Sequence, residues 1–140
     1  MKQVRITLLG CRRSALRASE AAKELRLDIY PVELIDLPCL GRLDTQHILE
    51  AFVSGSDGVL VVGCYDDACE HLRGNSLAER RVEYLRELLA EAHVEVERLA
   101  MGRVSGASPH RYRRLVNEFA QQVQSLGPRN GAVREGGVST

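Results

Sequence analysis

The chain has 140 residues and a mass of 15.5 kDa, which is the size of one ordinary domain with a sizeable core. Hydrophobic residues make up 44% and charged residues 27% of it, a balance that is typical of globular proteins and excludes extensive disorder. Lys plus Arg and Asp plus Glu both number 19. The lack of a basic excess argues against a nucleic-acid-binding protein.

The sequence shows no feature of a membrane or exported protein. No stretch approaches about 18 uninterrupted apolar residues, so we expect no membrane span. The first ten residues have the pattern of a strand, and they lack the apolar core and cleavage site of a secretion signal. We therefore expect a cytoplasmic protein, in a reducing compartment where structural disulfides are rare.

Hydrophobic periodicity and turn residues predict alternating strands and helices. In chain order these are a strand at 4–9, a helix at 14–26, a strand at 32–37, a helix at 45–54, a strand at 58–63, a helix at 77–92, a strand at 96–101 and a helix at 109–126. Ser14, Asp44, Ser76 and Ser108 are the expected N-caps. Residues 128–140 are rich in Pro and Gly and are predicted to form a disordered tail.

This alternation is the pattern of an α/β fold with a doubly wound, mainly parallel four-stranded sheet, of flavodoxin or Rossmann type, with helices on both faces. The apolar run at 58–63 is expected near the centre of the sheet, which favours the strand order 2-1-3-4. In such folds the functional site lies outside the carboxyl ends of the strands.

The cysteines follow the predicted strands. Cys11 comes after the first strand, and Cys39 after the second. Cys64 comes after the third strand, with Cys69 in the same loop. Because neighbouring strands lie about 4.8 Å apart, three adjacent strand ends bring their thiols within roughly 10 Å. Four thiols at one sheet edge have the stoichiometry of a 2Fe–2S or 4Fe–4S cluster, or of a structural zinc site.

Other interpretations of these residues stay open at this point. Each cysteine can be a small buried hydrophobic residue, which is a common role for Cys. Cys11 and Arg17 form a C-x₅-R pattern, placed like the phosphate loop of low-molecular-weight tyrosine phosphatases. Residues 12–16 lack the Gly or Asn that folds such a loop, and the other three cysteines would have no role. His71 is near enough in sequence to Cys69 to approach the same edge, although a solvated histidine is the more common case.

Six short segments of the sequence carry a family resemblance. They are CLGRLD at 39–44, ILEAF at 48–52, DGVLVVGC at 57–64, Cys69, GN at 74–75 and AERRV at 78–82. Together they resemble the delta subunit family of methyl-viologen-reducing hydrogenase, a family of small iron–sulfur subunits. The likeness extends from the first strand to about Gly127. It implies that residues 1–127 form an iron–sulfur domain with a 2Fe–2S cluster and no catalytic activity of its own.

The resemblance also implies partners. Such subunits sit in soluble complexes and pass electrons between two other components. One is an input module, such as a hydrogenase or a formate dehydrogenase, and the other is a heterodisulfide-reductase-type flavoprotein subunit. The alternative is a cluster-free or zinc-binding structural subunit of the same complex. Arg12, Arg13 and Arg42 flank two of the cysteines, and we expect them to contact the flavoprotein.

This sequence departs from the family pattern near the first strand. The family usually has C-C-x-x-C there, whereas Gly10, Cys11 and Ser14 occupy those three positions here. Cys11, Cys39, Cys64 and Cys69 remain, which is enough for a four-cysteine cluster. If a missing thiol is an obligatory ligand, Ser14 or His71 has to replace it. The usual H-P-G-D before the last cysteine is replaced by YDDA at 65–68.

Overall fold

A sheet of parallel strands lies at the centre of the fold. The computed structural model describes residues 3–65 and 74–129. The four strands in these ranges are β1 (Ile6–Cys11), β2 (Glu33–Leu37), β3 (Gly58–Gly63) and β4 (Leu99–Arg103). They pair in the order β2-β1-β3-β4, and each pairing is parallel. The predicted α/β doubly wound fold and the predicted strand order are therefore confirmed.

Helices cover both faces of this sheet. Those in the described ranges are α1 (Arg17–Glu24), α2 (Thr45–Val53), α3 (Gly74–Glu91) and α4 (Pro109–Leu126). The buried residues of α1 and α4 share one core cluster, and α2 and α3 contribute to another. Right-handed crossovers produce this division when the chain starts at the centre of a sheet and moves first to one edge and then to the other. Within residues 3–65 and 74–129, no helix is both long and apolar enough to cross a bilayer.

The burial of each strand matches its position in the sheet. Every residue of β1 and β3 is buried, because these two strands are covered by helices on both faces. β2 is an edge strand, in which only Leu37 is buried. Its alternating exposure shows that one side of β2 is open to solvent. The site described below therefore rests on two central strands and one edge strand.

Several predicted boundaries differ from the structure, and the first strand, predicted at 4–9, spans Ile6–Cys11. The fourth strand begins at Leu99, because residues Val96–Arg98 form a 3₁₀ turn in which Arg98 Nε donates to Glu95 Oε1 at 2.7 Å. α3 begins at Gly74, before the predicted N-cap. Helical structure after β1 begins with a π-helical turn at Arg12–Leu16. Ser14 is therefore an internal residue of that turn and not its cap.

The ordered chain also extends beyond the expected domain boundary at Gly127. Arg129 is buried, and its backbone N–H donates to Asp57 Oδ1 at 2.9 Å. Its guanidinium donates to the carbonyl oxygens of Ser56 and Phe52, and it lies 5.2 Å from the centre of the Phe52 ring. Arg129, the second residue of the predicted tail, therefore packs against the domain. The disorder of residues 130–140 stays a prediction, because they lie outside the described residues.

Candidate functional site

Among the described residues, three buried thiols lie at the carboxyl edge of the sheet. Cys11 is the last residue of β1, and its register partner in β2 is Leu37. Cys39 follows β2 by two residues, and Cys64 follows β3 directly. All three are buried, and none forms a disulfide. Cys69, the fourth predicted ligand, lies outside the described residues, as do His71 and the two carboxylates at 66–67.

The π-helical turn at Arg12–Leu16 covers this edge. It contacts the ends of β1, β2 and β3, and it buries Ser14 and Ala15. Gly10 makes this close approach possible, because a Cβ on Gly10 would lie 2.5 Å from the Ala15 Cβ. Ala15 therefore occupies the space that a side chain at position 10 needs. The cysteine that the family usually has at this position does not fit this arrangement of the turn.

The segment after β2 holds Cys39 by hydrogen bonds. Cys39 is the N-cap of a 3₁₀ turn at Leu40–Arg42, and its Sγ accepts a hydrogen bond from the Gly41 N–H at 3.3 Å. Arg81 of α3 donates to the Gly41 carbonyl oxygen at 3.1 Å and to the Leu43 carbonyl oxygen. An N–H donor to sulfur favours negative charge there, and the Arg81 bonds fix the turn that supplies the donor.

Arginines surround the same edge. Arg12 Nε donates to Asp36 Oδ2 at 2.8 Å, across the ends of β1 and β2. This hydrogen bond lowers the pKa of the Asp36 carboxyl below its ordinary value. Arg12, Arg13 and Arg42 are all exposed. The rim of the site therefore presents guanidinium groups that a partner with acidic side chains can contact.

The donor chemistry of the site fits an iron–sulfur cluster. Cluster iron takes thiolate ligands in surroundings shielded from water, and three buried thiols at one edge meet both conditions. The Ser14 hydroxyl at this edge is also buried, with no hydrogen-bond partner among the described residues. Within residues 3–65 and 74–129, however, no three His, Cys, Asp or Glu side chains are grouped closely enough to hold a metal ion. The described thiols therefore do not form a metal site among themselves.

The sequence interpretation does not identify Arg81 as a residue that supports the site. In the sequence, Arg81 is one of two adjacent arginines on a predicted helix. In the structure, its half-buried side chain reaches across to the 3₁₀ turn after Cys39. No periodicity indicates such a contact, because it depends on how α3 packs against that turn. The one available signal is that Arg81 belongs to the family-like segment at 78–82.

Comparisons with known proteins agree on one family. The family model described as "Methyl-viologen-reducing hydrogenase, delta subunit" matches residues 6–127. The iron–sulfur subunit of the F420-non-reducing hydrogenase of Archaeoglobus profundus is 34% identical over 124 residues, which cover 88% of this chain and 90% of that protein. The iron–sulfur subunit of the F420-non-reducing hydrogenase vhu of Methanocaldococcus jannaschii is 35% identical over 120 residues, 84% of this chain and 89% of that protein.

A third relative is a much longer protein. It belongs to the ferredoxin/F(420)H(2)-dependent CoB-CoM heterodisulfide reductase of Methanosarcina acetivorans and is 35% identical over 101 residues. These residues cover 71% of this chain but 13% of that protein, so the similar segment is a small part of it. The family match covers nearly the whole described domain, and the chain belongs to the methyl-viologen-reducing hydrogenase delta subunit family.

Proposed function

We propose that this chain is a non-catalytic electron-carrier subunit that holds a 2Fe–2S cluster at the carboxyl edge of its sheet. The proposed ligands are Cys11, Cys39, Cys64 and Cys69. The observation that carries the proposal is the burial of three thiols at the ends of three adjacent strands. The names of the relatives, which describe iron–sulfur subunits, support the same cofactor class.

The chain's own residues hold and shield the cofactor. A bound 2Fe–2S cluster supplies a reversible one-electron change. The thiolates act as its ligands, and the Gly41 N–H donates to the Cys39 sulfur. Arg81 keeps the turn around Cys39 in place. Burial of the sulfurs excludes water, which is one of the factors that set the reduction potential of a cluster.

The proposed partners follow from the relatives. We propose that the subunit relays electrons between a hydrogenase- or formate-dehydrogenase-type module and a heterodisulfide-reductase-type flavoprotein subunit in the cytoplasm. In one relative, a segment similar to this chain is part of a heterodisulfide reductase polypeptide. A domain that is fused to a protein in one organism and separate in another is a natural binding partner of that protein. This relation supports the proposed acceptor side of the relay.

The first prediction concerns the cofactor. We expect anaerobically purified protein to be brown, to bleach on reduction and to contain iron and acid-labile sulfide in the ratio of a 2Fe–2S cluster. Replacing each cysteine in turn with Ser and with Ala should cut the iron content sharply. Cys11 belongs to the apolar core, where Ser would also place a polar group. Its Ala variant is therefore the cleaner test, because Ala keeps a small apolar side chain and removes only the thiol. A cysteine whose Ala variant keeps full iron is not a ligand.

A second candidate function is a zinc-binding or cluster-free structural subunit of the same complex. The lack of a group of three ligating side chains within residues 3–65 and 74–129 favours the cluster-free form, whereas zinc would need four ligands of the same kind as the iron cluster. Colourless protein that contains zinc, or that contains no metal after anaerobic purification, would support it. The phosphatase interpretation has no such support, because residues Arg12–Leu16 form a helical turn and Cys11 is buried beneath it.

A further inference from the structure

The buried hydroxyl of Ser14 differs from that of a serine nearby in its hydrogen bonding. Ser14 is 1% exposed, and its Oγ has no hydrogen-bond partner among the described residues. A serine in a helix commonly donates to the carbonyl oxygen three or four residues earlier. Ser19, in the helix that continues this turn, does so and donates to the Leu16 carbonyl oxygen at 2.9 Å. A buried hydroxyl without a hydrogen-bond partner destabilises a protein, so this hydroxyl calls for an acceptor.

The spacing of Cys11 and Ser14 brings their side chains to the same end of the turn. Cys11 is the N-cap of the π-helical turn, and Ser14 is its third residue. In a capping box the side chain of each of these two residues bonds to the backbone N–H of the other, so both side chains lie at the first turn. Asp44 and His47 have the same spacing in α2 and form a complete box, in which the Asp44 N–H donates to His47 Nδ1 at 2.8 Å. Within the described residues, the Cys11 side chain makes no cap hydrogen bond.

We propose that the Ser14 hydroxyl donates a hydrogen bond to a sulfur of the bound cluster and raises the reduction potential of the cluster. This inference rests on the proposed function. The turn that carries Ser14 covers the ends of the three strands that carry the thiols, so the hydroxyl and the sulfurs share one edge. A hydrogen bond to sulfur stabilises the more negative, reduced state of a cluster. Ser14 is thus a donor and not a ligand.

The test compares Ser14→Ala with Ser19→Ala. We expect Ser14→Ala to keep its iron and sulfide and to shift the reduction equilibrium about tenfold toward the oxidised form. That shift corresponds to a midpoint potential about 59 mV more negative for a one-electron couple. Ser19→Ala removes a hydrogen bond that is already made within the helix, so it should leave the potential unchanged. Spectroelectrochemical titration measures both variants.

A second measurement uses the metal-free protein. There Ser14→Ala should be as stable as the parent chain or more stable in urea, because it removes a buried hydroxyl that has no acceptor among the described residues. Ser19→Ala should be less stable, because its hydroxyl donates to Leu16. Loss of stability in metal-free Ser14→Ala would show that the hydroxyl has a partner within the protein and would overturn the inference.

The remaining outcomes separate this inference from the proposed function. Loss of iron in Ser14→Ala would make Ser14 a ligand, and full iron with an unchanged potential would leave it without any role toward the cluster. Either result overturns this inference and leaves the proposed function intact. A parent chain that binds no iron under anaerobic conditions removes the proposed function and this inference together.

Discussion

At the residue scale, Gly10 controls how the turn above the thiols packs. A Cβ at this position would lie 2.5 Å from the Ala15 Cβ and 3.0 Å from Leu8 Cδ2. We therefore predict that Gly10→Ala destabilises the protein by about 1–3 kcal/mol, the usual cost of overpacking a core. Urea denaturation of the metal-free protein measures this change.

The control for Gly10→Ala is a second substitution at Ala15, the residue that the added Cβ would contact. Ala15→Gly alone loses helix propensity and buried surface, but in the Gly10→Ala background it also removes the clash. We expect the free energy of unfolding of the double variant to fall by less than the two single losses added together, with a difference of at least about 0.5 kcal/mol. If the two effects add, the contact between positions 10 and 15 is not the cause of the destabilisation.

At the element scale, the central strands are predictable because their burial is uniform. β3 is a six-residue apolar run bounded by glycines, and its observed limits are the predicted ones. The start of β4 is less predictable, because Val96 between polar residues also fits a strand. The bonds of Arg98 to Glu95 and to the Asp57 carbonyl oxygen hold that segment in a turn instead. These contacts depend on tertiary packing, which a local pattern does not contain.

The structure of the segment after α4 also depends on tertiary contacts that the local sequence does not contain. The Pro and Gly residues after Leu126 predict that the domain ends at Gly127. Gly127 does end the helix, with φ at 80°. The chain then continues to Arg129, which packs on Phe52 and bonds to Asp57. The breaker residues therefore mark the end of a helix and not the end of the folded domain.

We predict that Arg129→Ala lowers the free energy of unfolding by about 2–4 kcal/mol. The substitution removes buried, charge-assisted hydrogen bonds to the Ser56 and Phe52 carbonyl oxygens, each of the order of 1.5–3 kcal/mol, with partial compensation by water. A chain ended at Gly127 should lose at least as much, because the bond from the Arg129 N–H to Asp57 also disappears. Thermal and urea unfolding both measure the loss.

A matched control lies further along the chain at Arg134. Arg134→Ala removes the same side chain from the predicted tail, and we expect its unfolding midpoint to equal that of the parent. If Arg129→Ala also leaves the midpoint unchanged, the buried contacts of Arg129 contribute nothing to stability. If Arg134→Ala lowers it, the tail packs on the domain and the prediction of disorder is wrong.

At the scale of the whole molecule, the topology accounts for how much of the site can be predicted. Once the strand order is known, the positions of Cys11, Cys39 and Cys64 at one edge follow from the parallel sheet. The support around them does not follow. Arg81 reaches the turn after Cys39 from a distant helix, and the hydrogen bonding of the Ser14 hydroxyl is visible only in three dimensions. The joint role of the four cysteines as ligands stays a prediction.

The charge distribution determines how this molecule is expected to dock. The formal net charge is zero, so the molecule as a whole gives little steering, and the local charge of exposed Arg12 and Arg42 beside the thiol edge is expected to dominate docking. We therefore predict that Arg12→Glu and Arg42→Glu each slow association with the heterodisulfide-reductase-type flavoprotein by about tenfold at low salt, with a smaller effect at high salt.

The control for this prediction is Lys23→Glu, in the last turn of α1, at the end of that helix far from the π-helical turn. It should leave the association rate unchanged. Surface plasmon resonance over a salt series measures these rates, and iron content checks that the site is intact. Equal slowing by all three variants would mean that only net charge matters, and no slowing by the two arginine variants would place the docking face elsewhere on the molecule.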